Sequence, residues 1–110
     1  MDGKKIMWVE DDSFLSDIVA KKLAAESYNL IYVRNGAEAI EMAEKEMPDI
    51  IMLDILLPDV NGFDILQKFK SNPKTQNIPV IILSNLDSQS DLDKGKELGA
   101  SAYMIKATSN

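Results

Sequence analysis

The chain contains no cysteine and no histidine among its 110 residues. Without cysteine it can form neither disulfides nor thiolate metal sites, which is typical of proteins in the reducing cytoplasm. Without histidine it lacks the commonest general base and the commonest ligand of transition metals. Any chemistry on this chain therefore depends on carboxylates, hydroxyls and amines.

Long apolar segments are also missing. No apolar run approaches the roughly 20 residues that a transmembrane helix needs, and the first residues lack the pattern of a secretory signal peptide. The net charge of −6 argues against a nucleic-acid surface, because phosphate binding needs a basic patch. We expect a cytoplasmic protein with one domain over residues 1–110, which binds neither membranes nor nucleic acids.

The central feature of the sequence is a run of four apolar residues, 50–53, that ends at Asp54. Pro48 precedes the run, and Pro58 follows it. A short apolar run between turn-forming residues is typical of a strand that is buried on both faces, as in a parallel sheet. Asp54 then lies at the carboxyl end of a central strand, which is where open α/β sheets bind ligands.

Strand and helix patterns alternate along the whole chain. We predict strands over residues 4–9, 30–33, 49–54, 79–83 and 102–105. Four helices lie between them: one after residue 12, one from about 36 to 46, one from about 62 to 71, and a weaker one before residue 99. The second helix is expected to turn Ile40, Ala43 and Met47 inward, and the fourth has only Leu92 and Leu98 as large apolar anchors.

This alternation predicts an α/β fold with a parallel sheet and right-handed crossovers. The simplest arrangement is flavodoxin-like and doubly wound, with five strands in the order 2-1-3-4-5. Strands one and three are then neighbours, so Glu10, Asp11 and Asp54 meet at one edge of the sheet. Ser84 and Lys106 follow strands four and five and reach the same edge.

Three acids at one edge need a counter-charge. Two carboxylates about 4 Å apart repel by roughly 4 kcal/mol at an effective dielectric constant of about 20. A divalent cation relieves this repulsion, and oxygen ligands with room for water favour Mg²⁺. The ion would also screen the acids from an incoming phosphoryl group, so that Asp54 could act as a nucleophile toward phosphorus.

Ser84 and Lys106 complete this chemistry. The hydroxyl can donate a hydrogen bond and the ammonium a charge-assisted one to the remaining phosphoryl oxygens. The arrangement therefore indicates phosphoryl transfer onto Asp54, with Ser84 and Lys106 as the other catalytic residues.

Five motifs in this order resemble the receiver domain of bacterial two-component response regulators, and the similarity covers essentially the whole chain. The motifs are Val9-Glu10-Asp11, Leu53-Asp54, Pro58 through Gly62, Leu83-Ser84, and Tyr103 through Lys106. The resemblance implies that Asp54 accepts a phosphoryl group from a sensor histidine kinase or a phosphotransfer protein. It also implies a phosphorylation switch, which catalyses only its own phosphorylation and dephosphorylation and is not a turnover enzyme.

The resemblance also implies roles for individual residues. Asp11 would bind Mg²⁺ directly, together with Asp54 and the backbone carbonyl of Leu56, and Glu10 would act through water. Ser84 and Tyr103 would form the switch pair, in which the hydroxyl moves toward the phosphoryl group while the ring turns inward.

The chain departs from the family pattern in three places. Ala107 follows Lys106 where the family has a proline after a cis peptide, so we expect a trans bond because a cis bond to a non-proline residue costs about 2.5 to 4 kcal/mol. Asn85 stands where a smaller residue is common and could crowd the phosphoryl group. The family's terminal fifth helix is missing, so we expect an exposed apolar patch on strands one and three. A partner chain, a second copy in a homodimer, or another segment would cover it.

Two other functions are considered. A pseudo-receiver or scaffold would keep the fold and bind partners without phosphorylation, and Asn85 and Ala107 are its support. A flavodoxin-like flavin binder or small hydrolase would need a loop rich in serine, threonine and glycine after strand one, where this chain has Glu10-Asp11-Asp12.

Overall fold

In a computed structural model, which describes residues 4–10, 28–86 and 88–105, five parallel strands form one sheet. The strands are β1 (Lys5–Val9), β2 (Asn29–Val33), β3 (Ile50–Leu53), β4 (Val80–Ser84) and β5 (Ala102–Ile105). Their order is β2-β1-β3-β4-β5, and every neighbouring pair is parallel. The predicted flavodoxin-like order 2-1-3-4-5 is confirmed.

Three helices alternate with the strands in the described part of the chain. They are α1 (Gly36–Glu46), α2 (Gly62–Ser71) and α3 (Gln89–Glu97). None of them is long and apolar enough to cross a membrane. The predicted first helix and the Lys106–Ala107 bond lie outside the described residues.

One face of the sheet carries the hydrophobic core. Paired residues of neighbouring parallel strands point to the same face, and alternate residues along a strand point to opposite faces. The buried side chains of this face pack against α1 and α2. Strands β1, β3 and β4 contribute two each, which are Met7, Val9, Ile51, Leu53, Val80 and Ile82. Burial on this scale makes the apolar face the main source of stability.

Helix α1 begins at an asparagine cap. The Asn35 side chain accepts a hydrogen bond of 2.9 Å from the Glu38 N–H, which satisfies one of the free amides of the first turn. Ala43 is fully buried and Ile40 is half-buried, as predicted. The prediction that Met47 faces inward is wrong, because Met47 is the C-cap in the left-handed conformation (φ 47°) and its side chain is 49% exposed.

Helix α2 is the best anchored of the three. Asn61 caps it by accepting a 2.8 Å hydrogen bond from the Phe63 N–H. Phe63, Ile65, Leu66 and Phe69 are buried on one side of the helix, at the spacing of an amphipathic helix.

Helix α3 is weakly anchored, as the sequence predicts. Leu92 and Leu98 are only half-buried, and Gly95 is its one buried residue. A Cβ atom on Gly95 would lie 2.7 Å from Ile82 Cδ1 and 3.0 Å from Tyr103 Cδ2. The helix backbone therefore approaches strands β4 and β5 closely at this one point.

The opposite face of the sheet is covered unevenly. Ile6 and Trp8 on β1 are buried. The prediction that strand one exposes an apolar patch is therefore wrong. Met52 on β3 and Leu83 on β4 are half-buried, and Met104, the β5 partner of Leu83, is 53% exposed. Apolar exposure on this face therefore increases toward β5.

Gly62 permits the closest contact between a helix and the strand end that carries Asp54. A Cβ at this position would lie 2.5 Å from Ile55 Cα and 2.6 Å from the Asp54 carbonyl oxygen. Both atoms belong to the backbone and cannot move aside cheaply. We expect Gly62→Ala to lower the free energy of unfolding by about 3 kcal/mol, measured by urea titration.

Lys68→Ala is the control, because Lys68 is exposed on the same helix and should change stability by no more than about 0.5 kcal/mol. Equal urea midpoints for the two variants would contradict the predicted clash between a Cβ at position 62 and the backbone of Asp54 and Ile55.

Candidate functional site

Strand pairing brings Glu10 and Asp54 together. Val9 on β1 pairs with Leu53 on β3, and each acid is the next residue along its chain. The Asp54 N–H donates to the Val9 carbonyl at 3.0 Å, and the Glu10 N–H donates to the Val33 carbonyl at 2.9 Å. Both acids are buried, with exposed fractions of 1% for Glu10 and 5% for Asp54. Of the three acids predicted to meet at one edge of the sheet, Glu10 and Asp54 are thus placed at the ends of adjacent strands.

Ser84 lies at the same edge on the next strand. It is the last residue of β4, two residues beyond Ile82, which pairs with Leu53. It is fully buried, and its Oγ accepts a hydrogen bond of 3.2 Å from the Leu86 N–H. Its β5 partner is Ile105, the residue before Lys106. Lys106 itself and Asp11 lie outside the described residues.

The segment after Asp54 folds into a closed loop, residues 55–61, which we call the acceptor loop. Its start is held to Asp54, because the Leu56 N–H donates to Asp54 Oδ1 at 3.0 Å. Its two arms are joined by the bridge between Leu56 and Asn61 and by a hydrogen bond of 2.8 Å from the Gly62 N–H to the Ile55 carbonyl. The Leu56 side chain is 53% exposed.

The tip of the acceptor loop is bonded to the N-terminus of α1. Asp59 Oδ1 accepts from the Gly36 N–H at 2.9 Å, and Oδ2 accepts from the Ala37 N–H at 3.1 Å. These bonds, that from Gly36 foremost, lower the pKa of Asp59 below its ordinary value of 3.8, because they stabilise the charged carboxylate. Val60 lies against Gly36, where a Cβ would be 2.3 Å from Val60 Cγ2.

Tyr103 is linked to Ser84 through a single residue. The Tyr103 hydroxyl donates to the Leu86 carbonyl at 2.7 Å, and the N–H of Leu86 donates to Ser84. The ring is half-buried against the core and lies beside Gly95. The backbone of Leu86 therefore joins the Ser84 and Tyr103 side chains.

The donor set fits a hard divalent cation. Carboxylate oxygens of Glu10 and Asp54 on adjacent strand ends are the ligand type that Mg²⁺ and Mn²⁺ prefer. Among the described residues, no group of three or more acids is close enough to hold a metal ion. The predicted third acid, Asp11, is outside those residues.

Sequence reasoning missed two features of the site. It placed Asp59 in a loop but gave it no role, because its partners Gly36 and Ala37 are more than 20 residues away and only tertiary structure joins them. It also did not predict that the Leu86 backbone bonds to both Ser84 and Tyr103, since a backbone carbonyl carries no sequence signal. Asn85, expected to crowd the site, is exposed.

Comparisons with known proteins agree with this geometry. A family model for the response regulator receiver domain matches residues 6–110. Response regulator PleD of Caulobacter vibrioides is 36% identical over 102 residues, 93% of this chain but only 22% of PleD. The Mn²⁺-bound form of response regulator Rcp1 has a TM-score of 0.89 at 30% identity, covering 96% of this chain and 83% of Rcp1. The phosphorylated cyanobacterial phytochrome response regulator RcpA has a TM-score of 0.86 at 31% identity, covering 96% and 82%.

The Asp59 contact should make stability depend on pH. Because its pKa is lowered in the folded state, Asp59 contributes stability that is fully present above its ordinary value of 3.8 and is lost as the pH falls through the lower folded value. We expect the difference in urea midpoint between wild type and Asp59→Asn to be constant from neutral pH to about pH 5 and to shrink below the ordinary value.

Asp64→Asn is the control, because it removes one exposed carboxylate from the first turn of α2 without touching this contact. If the difference in urea midpoint between wild type and Asp59→Asn grows as the pH falls, the lowered pKa of Asp59 in the folded state is contradicted.

Proposed function

The chain belongs to the response regulator receiver domain family, and from that membership we propose that Asp54 accepts a phosphoryl group from a phosphohistidine. The observation that carries the proposal is the buried position of Glu10 and Asp54, each directly after one of the paired residues Val9 and Leu53 at the ends of β1 and β3. The donor would be a sensor histidine kinase or a phosphotransfer protein of a two-component system.

The reaction uses Asp54 as the nucleophile. One carboxylate oxygen attacks phosphorus, the bond between phosphorus and the donor imidazole nitrogen breaks, and the electron pair returns to the imidazole. The product on this chain is an acyl phosphate. The Leu56 N–H, which donates to Asp54 Oδ1 at 3.0 Å, orients the carboxylate for this attack.

Mg²⁺ is the proposed cofactor, and the Mn²⁺-bound form of Rcp1, which is 30% identical to this chain, supports the binding of a divalent cation. Asp54, the Leu56 carbonyl, Asp11 and, through water, Glu10 would hold it. The ion supplies positive charge that offsets the acids and the phosphoryl oxygens. Lys106 would contribute a further positive charge to those oxygens.

Ser84 and Tyr103 are the proposed switch pair. The Ser84 hydroxyl accepts from the Leu86 N–H and retains its own proton, which it can donate to a phosphoryl oxygen. Moving toward that oxygen pulls on Leu86, whose carbonyl holds the Tyr103 hydroxyl. Phosphorylation would thereby change the surface that α3 and β5 present to an output partner.

The chain acts in this proposal as a stoichiometric cytoplasmic switch and not as a turnover enzyme. Each molecule carries one phosphoryl group and passes on the signal through its partner surface.

A homodimer through the apolar face that includes Met104 is a further proposal, which sedimentation at increasing protein concentration tests.

Acetyl phosphate with Mg²⁺ should phosphorylate the chain at one site. We expect intact mass to show the addition of one phosphoryl group, which is absent without Mg²⁺ and absent in Asp54→Ala. Asp64→Asn, with an exposed acid changed on α2, should be phosphorylated like wild type. Phosphorylation of Asp54→Ala to the wild-type extent would overturn the assignment.

The acyl phosphate should hydrolyse slowly. Leu56 and Leu86 lie two residues after Asp54 and Ser84, where apolar side chains hinder an attacking water. We expect Leu56→Asn to shorten the phosphoryl half-life several-fold, measured by the decay of the phosphorylated mass after removal of acetyl phosphate.

Leu56→Met keeps an apolar side chain of similar volume and should leave the half-life close to that of wild type. If Leu56→Asn and Leu56→Met decay at the same rate, the apolar side chain does not control access of water.

A further inference from the structure

Asp59 makes the long-range polar contact of the acceptor loop. Both of its carboxylate oxygens accept backbone N–H groups of the first turn of α1, at 2.9 Å from Gly36 and 3.1 Å from Ala37. Helix N-termini have unsatisfied N–H groups, and here the acid that satisfies two of them comes from a different element. Asn35, the helix's own cap, satisfies the Glu38 N–H, so the two side chains serve different amides.

Apolar packing reinforces the same contact. A Cβ on Gly36 would lie 2.3 Å from Val60 Cγ2 and 2.9 Å from Ile65 Cδ1. The backbone of α1 therefore lies directly on the side chain of the loop residue next to Asp59, and a larger residue at position 36 would displace this side chain or the loop that carries it.

The other end of the acceptor loop is bonded to the reacting side chain. The Leu56 N–H donates to Asp54 Oδ1 at 3.0 Å, and Leu56 also bridges Asn61 across the loop. The loop is thus fixed at its tip by α1 and at its start to the acceptor carboxylate. Nothing in this chain of contacts involves Ser84 or Tyr103.

We propose that Asp59 is a positioning residue for phosphorylation, which holds the acceptor loop on α1 so that the Leu56 N–H orients the Asp54 carboxylate. This inference rests on the proposed function and adds to it a residue that touches neither the phosphoryl group nor the metal. A carboxylate is required because it offers one oxygen to each of two amides. An asparagine offers a single oxygen, and an alanine offers none.

The first test measures phosphorylation by acetyl phosphate at saturating Mg²⁺. We expect Asp59→Ala to lower the rate about three- to tenfold and Asp59→Asn to lie between it and wild type. Gly36→Ala should also lower the rate, because the added Cβ on α1 displaces Val60 of the acceptor loop. Asp64→Asn, which removes the same charge from α2, should keep the wild-type rate.

A double-mutant cycle separates positioning from general loss of stability. If Asp59→Ala and Gly36→Ala act through one contact, their combined effect on the rate will be smaller than the product of the two single effects. All rates are measured at a temperature where urea titration shows each variant to be folded, so that an unfolded fraction does not enter the comparison.

Hydrogen exchange provides a readout that a purely structural role would not change. If the contact raises the affinity of the site for beryllofluoride, then bound beryllofluoride must strengthen the contact by the same factor. Beryllofluoride with Mg²⁺ should therefore slow exchange at the Gly36 and Ala37 amides about three- to tenfold, and slow it less at Glu38, which bonds to Asn35.

The outcomes distinguish the two proposals. If wild type is not phosphorylated and does not bind beryllofluoride, the proposed function fails. If wild type reacts, but Asp59→Ala reacts as fast as Asp64→Asn and exchange at Gly36 and Ala37 does not change, the positioning role of Asp59 is overturned while the proposed function stands.

Discussion

The pairing of β1 with β3 is the constraint on which the site depends. The bond from the Asp54 N–H to the Val9 carbonyl continues the ladder one residue past the paired Val9 and Leu53, and it carries both acids to one edge. Parallel pairing requires all strands to run in the same direction, so β4 delivers Ser84 to that edge as well. The buried apolar residues of the core face keep this pairing in register, since a slip of one residue would turn them to the opposite face.

The Asp54 carboxylate is held by hydrogen bonds on the side of the acceptor loop. Leu56 bonds to Asp54, and Asp59 bonds the loop tip to α1. Two glycines leave room for close contacts around this loop. Gly36 on α1 leaves space for the Val60 side chain, and Gly62 leaves space for the backbone of Ile55. The position of the Asp54 carboxylate therefore depends on short side chains bonded to backbone N–H groups and on close approaches of backbone at the two glycines.

Helix α3 contrasts with this rigid region. It buries only Gly95 and rests on half-buried Leu92 and Leu98, whereas α2 buries four large apolar side chains. Few buried contacts leave an element free to shift at low cost. Tyr103, which touches α3 at Gly95 and bonds to Leu86, lies between the weakly anchored helix and the buried serine. The backbone of Leu86 therefore connects the buried serine to the tyrosine that packs against this helix.

Apolar periodicity and polar residues placed after strands are local signals, and from them the strands, the three described helices and the placement of Glu10, Asp54 and Ser84 at one sheet edge could be predicted. The strand order followed from the alternation of strands and helices along the chain. Three features could be seen only in the folded molecule: the bonds from Asp59 to α1, the outward turn of Met47 at the end of α1, and the burial of Ile6 and Trp8. The physical reason is that caps, close backbone approaches and the covering of a sheet face depend on residues that are distant in the chain. Local patterns say which elements form, and packing between them decides which groups touch.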